Sequence, residues 1–167
     1  MKKQDITFQP LGLTLDASSG MGDILFLAIS RVTPILNINL LKQRTFSGKR
    51  IILLTWRADN FYPIWHLPSR IPSFRESTIA KIAEVTDIEV ESQATEARGP
   101  IASSEIFNSE HDVGGHFISL LLSVNLESCP EFKERTHEES SVVVTVNWLP
   151  VPPENKLKKD EIYVGYF

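Results

Sequence analysis

A single cysteine, Cys129, is present, so no disulfide can form within the chain, and a reducing, cytoplasmic setting is the expectation. Basic residues never run longer than a pair, and the formal net charge is -4. Such a surface lacks the clustered Lys and Arg that bind a phosphate backbone, which argues against a nucleic acid partner. Apolar runs fall well short of the roughly 20 residues that span a bilayer, so no membrane partner is expected either. The opening Met1-Lys2-Lys3-Gln4-Asp5 starts like a signal n-region, but Asp5 and Gln9-Pro10 interrupt any apolar segment behind it. Internal repeats and low-complexity tracts are also missing. What remains is 167 residues with 42% hydrophobic and 23% charged content, the make-up of one soluble globular domain with a real core.

The pattern along the chain is a mixed α/β order. Residues 1–19 carry little periodicity and read as a tail or an added edge strand, leaving residues 20–167 as the domain. Asp23 is a candidate cap for a short apolar helix over Ile24 to Ile29, which Thr33-Pro34 ends. Near-alternating apolar residues from Ile35 to Leu41 predict a strand, and Arg50 to Trp56 a second, buried one. With a turn at Thr45 to Lys49 between them, the two read as a hairpin. Ser73 to Val85 is the best helix candidate, capped by Ser73 or Ser77 and packed through Ile79, Ile82 and Ala83. Ile88 to Glu91 reads as the start of a strand, and Gly99-Pro100 to Gly115 as a long polar loop. His116 to Asn125 and Ser141 to Leu149 read as strands, Cys129 to Ser140 as charged loop, and Asn155 to Phe167 as a terminal helix. The strand connections are mostly antiparallel.

The stretch Trp65-His66-Leu67-Pro68-Ser69-Arg70, followed by Glu76-Ser77 and by Thr86 to Glu91, resembles a degenerate Nudix box. In that family a Trp and Pro-Gly-Gly lead through Gly-Glu-Ser or Gly-Glu-Thr to a helix bearing Arg-Glu and Glu-Glu, then Thr-Gly-aliphatic. Here the glycines are replaced by Ser69 and Arg70, and most of the acidic ligands are missing. Within the family, Leu25 to Leu36 with its Thr33-Pro34 step is similar to the opening of the GDP-mannose mannosyl hydrolase branch. So are Leu53 to Arg57, Asn60 to Trp65, Asp112 to Ile118 and Thr145 to Leu149, and the likeness covers roughly residues 20–167. It implies a Nudix-type α/β/α sandwich, an α+β fold with a mixed, largely antiparallel sheet. It implies, too, Mg²⁺ as cofactor and a nucleotide or sugar-phosphate ligand.

Two registers match the helix to that pattern. Without a gap, Glu84 falls on the family's arginine, Val85 on its first glutamate, and Ile88 and Glu89 on its final pair. With a four-residue deletion, Ala80 replaces the arginine, Lys81 and Val85 replace glutamates, and Glu84 alone matches a ligand. The gapped register is preferred because it keeps the expected apolar face aligned. Glu84 and Glu76 are the candidate metal ligands, and Glu84 has an ordinary reading as a solvated helix residue. Mg²⁺ takes hard oxygen ligands, so a helix this poor in carboxylates offers it little.

The branch also implies a loop histidine as general base and arginines on the diphosphate. His137 lies in the right region with an imidazole pKa suited to that work, although it stands eleven residues before Trp148 rather than about five. Arg57 matches the strand-end arginine. Arg70 replaces a glycine, where its side chain can bind phosphate, pair with Glu76 or fill the cation site itself. His116, beside Gly114-Gly115, is a further substrate-binding candidate; its ordinary reading is a satisfied strand-edge residue. Trp65 and Trp148 read as core, and His66 as exposed on the face opposite Trp65.

Three functions stay open on this reading: a Nudix-like hydrolase of a nucleotide sugar with a reduced metal site, a non-catalytic binder of a nucleotide or sugar phosphate, and a structural dimerisation module. The all-round apolar segment Ile24 to Ile29 requires burial, and in the resembled branch the equivalent segment contributes to a symmetric dimer, so a homodimer is expected.

Overall fold

The computed structural model describes residues 28–57, 64–73, 75–107, 115–128, 130, 133–137, 142–150, 162–163 and 165–166. The tail 1–19, the Asp23 cap, most of the apolar segment 24–29, the 60–63 loop and residues 155–161 of the expected terminal helix lie outside them. The strands are β1 (Ile35–Leu41), β2 (Gln43–Phe46), β3 (Lys49–Arg57), β4 (Ile64–His66), β5 (Ser69–Arg70), β6 (Ala94–Phe107), β7 (His116–Leu126), β8 (Lys133–His137) and β9 (Val142–Pro150). The helix α1 (Thr78–Val85) runs directly into a π-helical turn, Thr86–Val90.

The strands form two sheets, ordered β5-β1-β7-β6 and β2-β3-β9-β8, with β4 also paired to β3. β1 and β7 pair in parallel, and the other ladders are antiparallel. This is the expected mixed α+β architecture. The expected hairpin differs, however. β1 leaves for the first sheet, and β3 instead pairs with the short β2 through Phe46↔Lys49. Ser47 (φ 49°) and Gly48 (φ 76°) make that two-residue turn, the positive-φ pair that matches the twist of a tight hairpin.

Three apolar clusters follow from strand alternation. Leu41 and Leu121 of the first sheet meet Ile52 and Leu54 of the second, with Leu67 and Tyr163 completing the layer. On the other face of the first sheet, Ile38, Leu40, Leu122 and Val124 receive Ile82 and Val85 of α1. On the other face of the second, Leu53 and Val146 receive Val90 of the π-turn. Among the described residues, no helix is long and apolar enough to cross a membrane.

Several segments depart from the sequence expectation. Residues 88–91, expected to begin a strand, continue the helix as its π-turn and its terminus. The Gly99-Pro100 segment, expected as loop, lies inside β6, where the register shifts between Arg98 and Ala102. That bulge accommodates a proline, and Gly99 (φ 130°) approaches so closely that a Cβ there would stand 2.7 Å from the Ile101 nitrogen. β8 likewise forms where charged loop was expected. At the C-terminus the described residues 162–163 and 165–166 are short 3₁₀ turns.

The face of α1 also differs. Ser77 is the cap, accepting from the Ala80 N–H at 3.2 Å, but Ile79 is 79% exposed and Ala83 is exposed. The buried side is Lys81, Ile82, Val85, Thr86, Glu89 and Val90, half of it polar.

The helix terminates at Glu91, which takes the left-handed conformation (φ 51°, ψ 43°). A Cβ there is strained, and a carboxylate at a helix C-terminus opposes the dipole. Glu91→Gly is therefore expected to stabilise the domain by up to about 1 kcal/mol after the glycine entropy cost, raising Tm by a few degrees in a thermal melt.

Candidate functional site

Where β5, α1 and the π-turn meet, three carboxylates and two cations converge. Glu89 is almost fully buried. Its Oε2 accepts from the Ser69 backbone N–H at 3.1 Å and from the Thr55 hydroxyl at 3.3 Å. Its Oε1 lies 3.8 Å from Arg70 Nε, an ion pair beyond hydrogen-bond reach. Arg70 Nη1 donates to Glu84 Oε1 at 3.3 Å. On the far side of Glu84, Lys81 Nζ donates to Oε2 and also reaches Glu76 Oε2 at 3.0 Å. The chain Glu89–Arg70–Glu84–Lys81–Glu76 thus alternates in sign.

Local structure sets these positions. Pairing of Ser69 and Arg70 with Asn39 and Ile38 fixes β5 against β1 and directs the Ser69 N–H at Glu89. On α1, Lys81 stands between Glu76 and Glu84. The π-turn carries Glu89 under the sheet, and the Thr86 hydroxyl donates to the Ile82 carbonyl at 3.0 Å within it.

Lys81 is the unusual member, with its side chain 3% exposed. A buried ammonium persists only when paired, because desolvation costs several kcal/mol per ion. Glu76 responds to it. Desolvation opposes ionisation of Glu76, but the Ser73 N–H and the Lys81 ammonium outweigh it and hold the carboxyl below its usual range. His66 lies beside the cluster, buried rather than exposed as expected. Its Nδ1 is 2.7 Å from the Leu67 carbonyl, so that nitrogen carries the proton and donates, and 3.4 Å from the Thr55 hydroxyl.

Of the six candidates from sequence, the structure brings together Glu76, Glu84 and Arg70. Arg70 pairs with Glu84 and Glu89 rather than with Glu76. Arg57 and His137 are described by their backbones alone. Arg57 pairs with Val144 and His137 with Val142, so both stand at the same end of the second sheet. His116 lies apart. Its row is four residues along β7 from the Leu120–Ile38–Arg70 row, roughly 13 Å at strand rise. His116 Nε2 meets Glu105 Oε1 at 2.8 Å, and its ring stacks on Phe107 at 4.4 Å. The residues that sequence reasoning did not single out are Glu89, Lys81, Thr55 and Ser69. Of these, Glu89 and Lys81 fall on acidic positions of the family pattern, in the ungapped and gapped registers respectively, and Ser69 on a glycine position. Trp65 packs against the core as expected, edge-on to Trp56.

No protein-family model and no curated protein sequence matches the chain. Solved structures do match in fold. The NUDIX domain of Shewanella oneidensis NrtR, complexed with ADP ribose, superposes with a TM-score of 0.57 at 14% identity, covering 79% of this chain and 84% of that one. A MutT NUDIX hydrolase from Burkholderia pseudomallei gives 0.60 at 14% identity over 80% and 97%. A MutT structure from work on Aliivibrio salmonicida and Vibrio cholerae gives 0.53 at 13% identity over 80% and 96%.

Two outcomes test the cluster. Glu76→Gln lowers stability at neutral pH, but the gap to wild type closes as pH falls through the depressed Glu76 pKa, because a lowered carboxyl pKa stabilises only while the group is ionised. Urea melts across pH 3 to 7 measure that gap; a constant gap would show that the pairing with Lys81 is not its source. Lys81→Met leaves Glu76 and Glu84 without their shared cation, and a loss of about 1–3 kcal/mol is expected in the same assay. The architecture that holds the cluster is the Nudix fold.

Proposed function

We propose that this domain recognises a nucleoside diphosphate linked to a further group, of the ADP-ribose or nucleotide-sugar class, and binds it without the hydrolytic turnover of the enzymes that share its fold. The observation that carries this reading is the pairing of Glu76, Glu84 and Glu89 with Lys81 and Arg70. The Nudix fold implies Mg²⁺, and its ligands are helix carboxylates. Here those carboxylates already hold protein cations. Among the described residues, no group of three or more His, Cys, Asp or Glu is disposed to hold a metal ion. The residues present do not fit Mg²⁺.

The helix also supports the ungapped register over the gapped one. The helix runs without a break from its Ser77 cap through the π-turn to Glu91. Glu91, in the left-handed conformation, stands where the family pattern has its glycine. In this register Glu84 takes the arginine position, Val85 and Ile88 take glutamate positions, and only Glu89 keeps a helix carboxylate. The NUDIX domain of NrtR, in complex with ADP ribose, offers the ligand class. Arg57 and Arg70 are the proposed diphosphate contacts, since guanidinium groups match phosphate oxygens bidentately.

A second reading is a hydrolase with a reduced metal site, with His137 as base, His116 against substrate, and Glu84 and Glu76 on the ion. One observation favours it: Glu89 remains buried and hydrogen-bonded at an acidic position of the family pattern. The two readings separate in one experiment. Under the binding reading, ADP-ribose or GDP-mannose at a hundredfold excess over Kd stabilises the fold by about 2.7 kcal/mol, equally with Mg²⁺ and with EDTA. Phosphorus NMR then finds the diphosphate intact after hours. Mg²⁺-dependent cleavage, lost on Glu84→Gln, would establish the hydrolase instead, and no shift with any nucleotide would remove both.

A further inference from the structure

We infer that Arg70 and Lys81 are resident cations that take the place of a divalent ion, so that the carboxylates of this site are neutralised by the chain itself. The charge count supports this. A guanidinium and an ammonium bring two positive charges to Glu76, Glu84 and Glu89, the same number a divalent ion would bring. The placement supports it independently. Lys81 occupies the buried face of α1 beside Ile82 and Val85, where an apolar side chain would ordinarily sit, and its ammonium is 3.0 Å from Glu76. Arg70 comes from a different element, β5, and spans Glu84 and Glu89. Two cations from separate elements therefore bridge the three carboxylates in sequence, Lys81 joining Glu76 to Glu84 and Arg70 joining Glu84 to Glu89.

The consequence is that the few carboxylates this site retains are occupied by the chain's own cations. Glu84 illustrates this, with one oxygen on Arg70 and the other on Lys81. Removing both cations leaves Glu84 uncompensated between Glu76 and Glu89, and a divalent ion seated against Glu84 would relieve that charge, since ligand charge helps set affinity for hard cations.

The test uses Mn²⁺ alone, with no nucleotide, so its failure is distinct from failure of the ligand reading. Free Mn²⁺ is followed by electron paramagnetic resonance against wild type, the double variant Arg70→Gln/Lys81→Gln, and that double variant with Glu84→Gln added. Wild type is expected to show only weak surface binding and a Tm indifferent to Mn²⁺. The double variant gains one site at least roughly tenfold tighter, with a Tm that rises with Mn²⁺, and Glu84→Gln removes the gain. A tight site in wild type that Glu84→Gln abolishes would overturn the proposal, as would a folded double variant without a new site. Should the double variant be unfolded in EDTA, recovery of its circular dichroism by Mn²⁺ supports the proposal, and failure to recover overturns it.

Discussion

Glu89 is the side chain through which the helix and both sheets are joined. It sits on the π-turn that follows α1, and one of its oxygens accepts from Thr55 of β3 and from Ser69 of β5, strands of different sheets. A carboxylate buried this deeply is tolerable only when its charge is compensated and its lone pairs are filled. The surrounding architecture meets those demands. β5 presents a backbone N–H, β3 a hydroxyl, and Arg70 a guanidinium. The π-turn advances Glu89 to where these donors converge, and it ends at Glu91 in a strained left-handed conformation. A backbone irregularity beside a buried charge is the pairing expected where local stability has yielded to a site.

The parts of the fold that were legible in the sequence are those where burial and period agree. β1, β3, β7 and β9 are runs whose apolar side chains fill the clusters between and outside the sheets, and each was anticipated within a few residues. β6 was not, because most of its residues are exposed and it stands at a sheet edge with Gly99-Pro100 in its middle. Its strand state comes from pairing with β7, a tertiary fact that local pattern does not carry. β8 was missed for a similar reason: Lys133 to His137 has no apolar alternation and is a strand through its ladder to β9.

The helix misled in a more instructive way. Its apolar residues Ile79 and Ala83 face outward, while the polar Lys81, Thr86 and Glu89 face inward. A period analysis assumes that the buried face is the apolar one. Here the assumption fails at the residues that form the ion-pair cluster. Glu76, Glu84 and Arg70 were identified individually, but their network was not, since Glu76 and Glu84 are linked through Lys81, a residue type that is seldom buried.

That inversion bears on why the cluster exists. Burying an ion pair is seldom more stabilising than burying apolar groups of the same volume. An apolar residue in place of Lys81 would sit naturally beside Ile82 and Val85, provided Glu76 and Glu84 were also neutral. The network therefore has no stability argument in its favour as a whole, only a strong argument against losing any one member. Its charges must be retained together or replaced together. A site built that way fixes the position of Arg70, which stands between buried Glu89 and Glu84 with its side chain one-third exposed, as that of Glu84 is. Under the binding reading proposed above, a guanidinium so held would meet an incoming anion with little reorganisation.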